Sequence, residues 1–251
     1  MKISHFVLAM ATLALLACSE KKTEQPKIDL QSQLQQVKTL HERHLAKAEE
    51  VQQLRQELAK LREKSKLNAA EVQQKQQLEE KVKAASRELD QIFTEDQNEL
   101  AAFLNTALND APQTSETLEG LKIYAQDAIL NARDYMNEAG DYRKAVELLE
   151  TAESYFAAIS ATPPDELEEL LKEAKRLRFI TRDRFDAVKK GMTKAEVRAI
   201  TGTPLALNVR EQEVKGQKVT VWLFRSEEGD IASFFFNQKG QLYSKDWKKS
   251  S

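Results

Sequence analysis

Few side chains in this sequence are suited to nucleophilic or metal chemistry, since it has three histidines and one cysteine. His41 and His44 lie three residues apart, which places both imidazoles on one face of a helix and can suit a metal ion. No third ligand accompanies the pair in the surrounding sequence. We therefore predict two partly solvated histidines on a helix seam, and no metal site.

Sequence motifs of catalysis are also missing. The chain has no glycine-rich phosphate loop, no Gly-x-Ser-x-Gly elbow and no His-Glu-x-x-His run. Acidic pairs such as Glu166 and Glu169 lie in segments rich in Lys and Arg, which is typical of solvated helix faces. We predict no catalytic residues, no cofactor and no enzymatic activity.

The cysteine follows a short apolar segment at the N-terminus. Lys2 precedes the apolar stretch from Phe6 to Ala17, which at about 12 residues is too short to span a bilayer and is typical of a secretory signal. Leu15-Leu16-Ala17-Cys18 resembles the cleavage box of bacterial lipoproteins. The resemblance implies a signal peptide over residues 1–17, a lipidated Cys18 and a polar tether over residues 18–27. Ser19 rather than Asp after the cysteine implies an outer-membrane lipoprotein facing the periplasm. The alternative is an ordinary signal peptide with an incidental cysteine.

Charge is nearly balanced over the whole chain, at −2, so we predict no nucleic-acid binding. The distribution is uneven, because residues 172–251 contain 18 Lys and Arg against 10 Asp and Glu. Lys189, Lys190, Lys194 and Arg198 cluster there. This basic surface could meet anionic lipid, an acidic partner protein or only solvent.

The N-terminal half has the pattern of a long helical hairpin. No glycine precedes Gly120, and no proline lies between Pro26 and Pro112. Narrow apolar stripes at three-four spacing are typical of coiled coils. Asn68, with Glu71 three residues later, forms a capping-box pattern that predicts a new helix start. We predict antiparallel helices over roughly residues 28–64 and 69–109, within a hairpin domain of residues 28–112. One continuous helix that dimerises in parallel is the alternative.

A second helical segment follows over residues 113–180. Gly140 and Asp141 predict a helix end and the next helix cap. The stretch from Ala139 to Ala152 resembles the turn and second helix of a tetratricopeptide repeat. Because only one repeat is visible, a structural helical hairpin is favoured over a peptide-binding groove.

The last segment, residues 181–251, changes to a mixed pattern of two short helices followed by strands. The segment contains, in this order, Gly191-Met192-Thr193, Val197, Gly202-Thr203-Pro204, Trp222 and the closing stretch from Phe236 to Gly240. They resemble the BamE-like (SmpA/OmlA) domain of small outer-membrane lipoproteins in the β-barrel assembly machine. The resemblance implies an ααβββ fold. The predicted fold class is therefore mainly α with a small α+β C-terminal domain.

Alternation along the predicted strands places aromatic side chains on one sheet face, namely Trp222, Phe224, Phe234 and Phe236. Either the helical middle of the same chain covers this face, or it binds a partner protein.

Two functions remain open. The first is a lipid-tethered scaffold that binds envelope proteins, with β-barrel assembly components among the candidates. The second is a recognition module that inhibits an envelope enzyme, because a similar ααβββ arrangement occurs in β-lactamase inhibitor proteins.

Overall fold

The computed structural model describes residues 29–62, 67–214 and 216–250. Within these ranges the chain is mainly α-helical and ends in a small antiparallel sheet, which confirms the predicted fold class. The signal segment, Cys18 and the tether lie outside the described residues. No described helix is both long and apolar enough to cross a bilayer.

Helices α1 (Leu30–Arg62) and α2 (Ala69–Asp110) form the predicted antiparallel hairpin. The capping box at the start of α2 is present: Glu71 N donates to Asn68 Oδ1 at 2.9 Å, and Asn68 N donates to Glu71 Oε2 at 2.9 Å. Lys47 pairs with Glu88 across the two arms at 2.8 Å. Near the tip, hairpin residues form a separate small apolar cluster of Leu58, Leu61 and Leu78.

The base of the hairpin belongs to the main helical core. Helices α3 (Ser115–Asp134), α4 (Tyr142–Ala158) and α5 (Asp165–Arg178) pack in sequence, with a π-helical turn, Tyr135–Ala139, between α3 and α4. Their buried side chains share one cluster with Leu34 and Val37 of α1 and Leu100 and Phe103 of α2. The core therefore runs across residue 112, where the sequence suggested a domain boundary.

The C-terminal module contains two short helices and a four-stranded meander. Helices α6 (Arg182–Ala187) and α7 (Lys194–Thr201) precede strands β1 (Val209–Val214), β2 (Gln217–Arg225), β3 (Ile231–Phe236) and β4 (Leu242–Lys248). The sheet order is β1-β2-β3-β4 and all pairs are antiparallel. The arrangement is thus ααββββ, one strand more than ααβββ. The added edge strand, β1, is mostly polar.

A small interface joins the module to the helical core. Thr203 N donates to Tyr142 Oη at 2.7 Å, and Thr203 Oγ1 donates to the Asn137 carbonyl at 3.4 Å. Arg184 donates to the Phe179 carbonyl at 2.7 Å. The two Thr203 bonds fix the loop after α7 against the π-helical turn and the start of α4, and the Arg184 bond ties α6 to the end of α5.

Candidate functional site

In the described part of the chain, four titratable side chains that could hold a metal ion meet at the junction of three helices. His41 and His44 come from α1, Asp96 from α2 and Asp127 from α3. The i,i+3 spacing on α1 places both imidazoles on the side that faces α2 and α3. One donor atom from each residue can be chosen so that all four lie within 4.8 Å of one another. We call these four residues the His–Asp cluster.

Both imidazoles point their Nδ1 atoms at the carboxylates. The distance from Asp96 Oδ2 is 3.3 Å to His41 Nδ1 and 3.1 Å to His44 Nδ1. Asp127 Oδ1 lies 3.5 Å from His41 Nδ1 and 4.0 Å from His44 Nδ1. On its other side, Asp127 Oδ2 accepts a hydrogen bond of 2.7 Å from Gln97 Nε2. Gln97 therefore turns the second carboxylate oxygen of Asp127 toward the histidines.

The His–Asp cluster is shielded from water. The side-chain exposed fractions are 6% for His41, 12% for His44, 0% for Asp96 and 4% for Asp127. The ring of Phe93 packs against His44 at 5.1 Å between centroids. The prediction of two partly solvated histidines is therefore wrong for His41, which is buried.

Burial and mutual charge set the protonation of the cluster. Burial raises the pKa of Asp127 to about 6, against the opposing attraction of His41. Burial would raise the pKa of Asp96 as well, but hydrogen bonds from His41 and His44 outweigh it and lower that pKa. For His41 burial lowers the pKa, and the hydrogen bond to Asp96 with the charge of Asp127 overcomes this and raises it. The cluster can bind protons or, through two nitrogens and carboxylate oxygens, a metal ion.

The sequence did not reveal this grouping. The inference that no further ligand accompanies His41 and His44 is wrong, because the other two come from different helices. Asp96 and Asp127 look like ordinary helical acids in the sequence. The available signal was position: each lies on the apolar stripe of its helix, where a carboxylate needs a partner.

The four aromatic residues suggested as a partner-binding face are not available as one. Trp222, Phe234 and Phe236 are buried, and Phe224 is half-buried against them. They form one cluster with Phe185 of α6 and Val197 of α7. The partner-binding prediction for these residues is therefore wrong, as is the expectation that the helical middle covers them. The two short helices α6 and α7 cover the aromatic face of this small sheet through Phe185 and Val197.

The predicted basic surface divides into two pairs. Lys189 and Lys190 are exposed. Arg198 lies over the Trp222 ring at 5.8 Å, and Lys194 lies 5.9 Å from the Phe236 ring centroid and donates to Thr220 Oγ1 at 3.1 Å. The second pair thus covers the edge of the aromatic core through cation–π contacts.

No family model, curated protein or solved structure matches this chain.

Proposed function

We propose that this chain is a non-catalytic scaffold of the bacterial envelope, anchored by lipid on Cys18 in the outer membrane and facing the periplasm. The observation that carries the proposal is the position of its one cysteine, directly after Leu15-Leu16-Ala17 and an uncharged apolar stretch. Each buried CH₂ of an attached acyl chain contributes about 0.8 kcal/mol to membrane binding, so two or three chains suffice for a stable anchor.

The position of α1 relative to the cysteine supports this reading. Leu30 follows Cys18 by 12 residues, which can reach at most about 40 Å at 3.3–3.6 Å per residue. The start of α1 packs into the main core through Leu34 and Val37. A lipid on Cys18 would hold the helical core near the membrane, and the 33 residues of α1 would extend about 50 Å from that point.

The surroundings of the two histidines support a role without catalysis. His41 and His44 lie inside a three-helix junction and bond to Asp96 rather than facing solvent. A general base has to reach the proton that it abstracts. Both Nδ1 atoms instead face the Asp96 carboxylate inside the junction.

Partner proteins would bind the C-terminal module through surface other than the buried aromatics. Exposed candidates are Lys189 and Lys190 at the start of the loop before α7, and Tyr243 on β4. Half-buried Leu223 and Phe235 lie on the sheet face opposite the aromatic core, and Phe235 contacts Tyr243 at 6.3 Å between ring centroids. This outer face is also the surface through which the alternative, an inhibitor module similar to the ααβββ β-lactamase inhibitor proteins, would bind its enzyme.

Membrane fractionation tests the anchor. We expect the full chain to float with outer membranes and to carry an acylated Cys18 by mass spectrometry. Cys18→Ala should move it to the soluble fraction, whereas the neighbouring Ser19→Ala variant should stay with the membrane. A Cys18→Ala chain that still floats, or a wild-type chain with an unmodified cysteine, would contradict the proposal.

Affinity purification from detergent-solubilised envelopes separates the two functions. Co-purified β-barrel assembly subunits would support the scaffold. A single soluble hydrolase would support the inhibitor and overturn the scaffold.

A further inference from the structure

We propose that the His–Asp cluster is a binding site for one divalent transition-metal ion, with Zn²⁺ as the ion that fits it best. The site would join α1, α2 and α3 at the base of the hairpin. This inference does not depend on the membrane anchor or on any partner protein.

The nitrogen–oxygen distances in the cluster are near those of a tetrahedral site. With metal–ligand bonds of about 2.0–2.1 Å, two ligands at a tetrahedral angle lie about 3.3 Å apart. The four nitrogen–oxygen distances between the two imidazoles and the two carboxylates are 3.1, 3.3, 3.5 and 4.0 Å. The remaining nitrogen–nitrogen and oxygen–oxygen pairs lie within 4.8 Å, so metal binding would draw the donor atoms together by up to about 1.5 Å at the widest edge.

A buried oxygen without a hydrogen-bond donor supplies a second, independent argument. Asp127 Oδ1 is buried and has no hydrogen-bond partner, although its side chain is only 4% exposed. Leaving a buried carboxylate oxygen without a hydrogen bond is costly, and the nearest cationic group is His41 Nδ1 at 3.5 Å. Gln97 holds Oδ2 on the opposite side and so aims Oδ1 between the two imidazoles. A cation at that point would pair the oxygen directly.

The donor types select among cations. Ca²⁺ and Mg²⁺ prefer six or more oxygen ligands, which two histidines do not supply. Imidazole nitrogens with carboxylate oxygens suit Zn²⁺ and its transition-metal neighbours. Two ionised carboxylates and two neutral imidazoles carry a charge of −2, which a divalent ion neutralises in a region shielded from water.

The closed ligand set points to a structural role for the ion. Four protein ligands fill a tetrahedral shell, whereas catalytic zinc keeps one position for water or substrate. Gln97, which bonds to a ligand carboxylate, fits the outer-shell role of orienting a metal ligand. Because an ion that binds only the folded chain stabilises it, Zn²⁺ would tie the hairpin base to α3.

Metal titration of the full chain in detergent, after treatment with a chelator, tests the site. We expect one Zn²⁺ per chain by calorimetry and by elemental analysis, and a rise in melting temperature on binding. Co²⁺ in place of Zn²⁺ should give the intense visible absorption of a tetrahedral site. Ca²⁺ and Mg²⁺ at the same concentration should produce no shift.

Variants on α3 supply the matched comparison. Asp127→Asn should weaken Zn²⁺ binding by at least about 100-fold. Asp134→Asn makes the same exchange seven residues further along the helix, at an exposed position, and should bind like the wild type. Gln97→Ala should weaken binding by about 10–100-fold, as loss of an outer-shell partner does. Since Asn fits the same space, circular dichroism should show that the metal-free Asp127→Asn chain stays folded.

Two results would overturn the proposal. One is a folded wild-type chain that retains no Zn²⁺ and shows no thermal shift. The other is Zn²⁺ binding that Asp127→Asn leaves unchanged. In either case the four residues form a cluster that ion pairs and hydrogen bonds stabilise without a metal ion.

Discussion

Replacement of Gly140 by alanine should loosen the C-terminal module from the helical core. Gly140 follows the π-helical turn at a φ of +65°, a conformation that side chains with a Cβ rarely adopt. An added Cβ would lie 2.5 Å from both the carbonyl carbon and oxygen of Pro204, and 2.6 Å from the Thr203 oxygen. All three atoms belong to the backbone, so none can rotate away.

Gly240 provides the matched control. It has a similar φ of +73°, and an added Cβ would meet nothing within 4 Å. The left-handed backbone conformation costs an alanine roughly 1–2 kcal/mol of folding free energy. Alanine also restricts the unfolded chain, which offsets about 0.4–1 kcal/mol of that cost. Gly240→Ala should therefore lower the free energy of unfolding by about 1 kcal/mol. Gly140→Ala should lose about 1–3 kcal/mol more, because the methyl group overpacks a rigid contact.

Urea denaturation of both variants measures this difference. Hydrogen exchange adds a local measurement, because the Thr203 amide donates to Tyr142 Oη at 2.7 Å across the same interface. Its exchange should accelerate in Gly140→Ala and stay unchanged in Gly240→Ala. Equal losses of stability in the two variants, or an unchanged Thr203 amide, would refute the idea that this backbone contact holds the module in place.

Three further predictions follow from particular contacts. The metal-free chain should be less stable at pH 8 than at pH 5.5. The reason is that folding raises the pKa of both Asp127 and His41, so their stabilising protonated forms are lost as the pH rises through about 6 and above. Asp96, whose pKa is lowered, has the opposite pH dependence, because its stabilising charge is lost only as the pH falls toward 4. Equal melting temperatures at pH 5.5 and pH 8 would contradict this account. Trp222→Ala should destabilise the module by about 3–5 kcal/mol in denaturant unfolding, because its ring is buried 4.6 Å from that of Phe236; a loss below 1 kcal/mol would argue against a core role. Asn68→Ala should cost about 1 kcal/mol of hairpin stability, seen as faster amide exchange in the first turn of α2, because it removes the acceptor for the Glu71 amide.

Local patterns in the sequence predicted the helical part of the fold well. Asn68 and Glu71 form the capping box, and α1 and α2 end within a few residues of the predicted bounds. Thr193 and Glu196, which have the same three-residue spacing, form a second capping box at the start of α7. Such signals involve residues within one turn of each other, so they act before any tertiary contact forms.

The number of strands is harder to predict from local sequence patterns than the helices are. The sequence Val209–Val214 contains four polar residues between two valines, so its apolar alternation is absent. It becomes strand β1 by pairing with β2 along a register that joins Val209 to Trp222. An edge strand needs hydrogen-bond partners more than an apolar face, and only the folded sheet supplies them.

By itself, the amino-acid sequence determined where the two long helices begin and end and the mixed α+β end of the chain, because caps and apolar periodicity operate over a few residues. The tertiary contacts between α1 and α2 decided in favour of the antiparallel hairpin over one continuous helix. Only the tertiary structure decided which side of the aromatic sheet is covered, and that Asp96 and Asp127 meet His41 and His44. Those contacts join helices separated by dozens of residues, and their geometry depends on how the helices cross. A carboxylate on the apolar stripe of a helix predicts a buried partner, but which residue becomes that partner depends on how the helices pack.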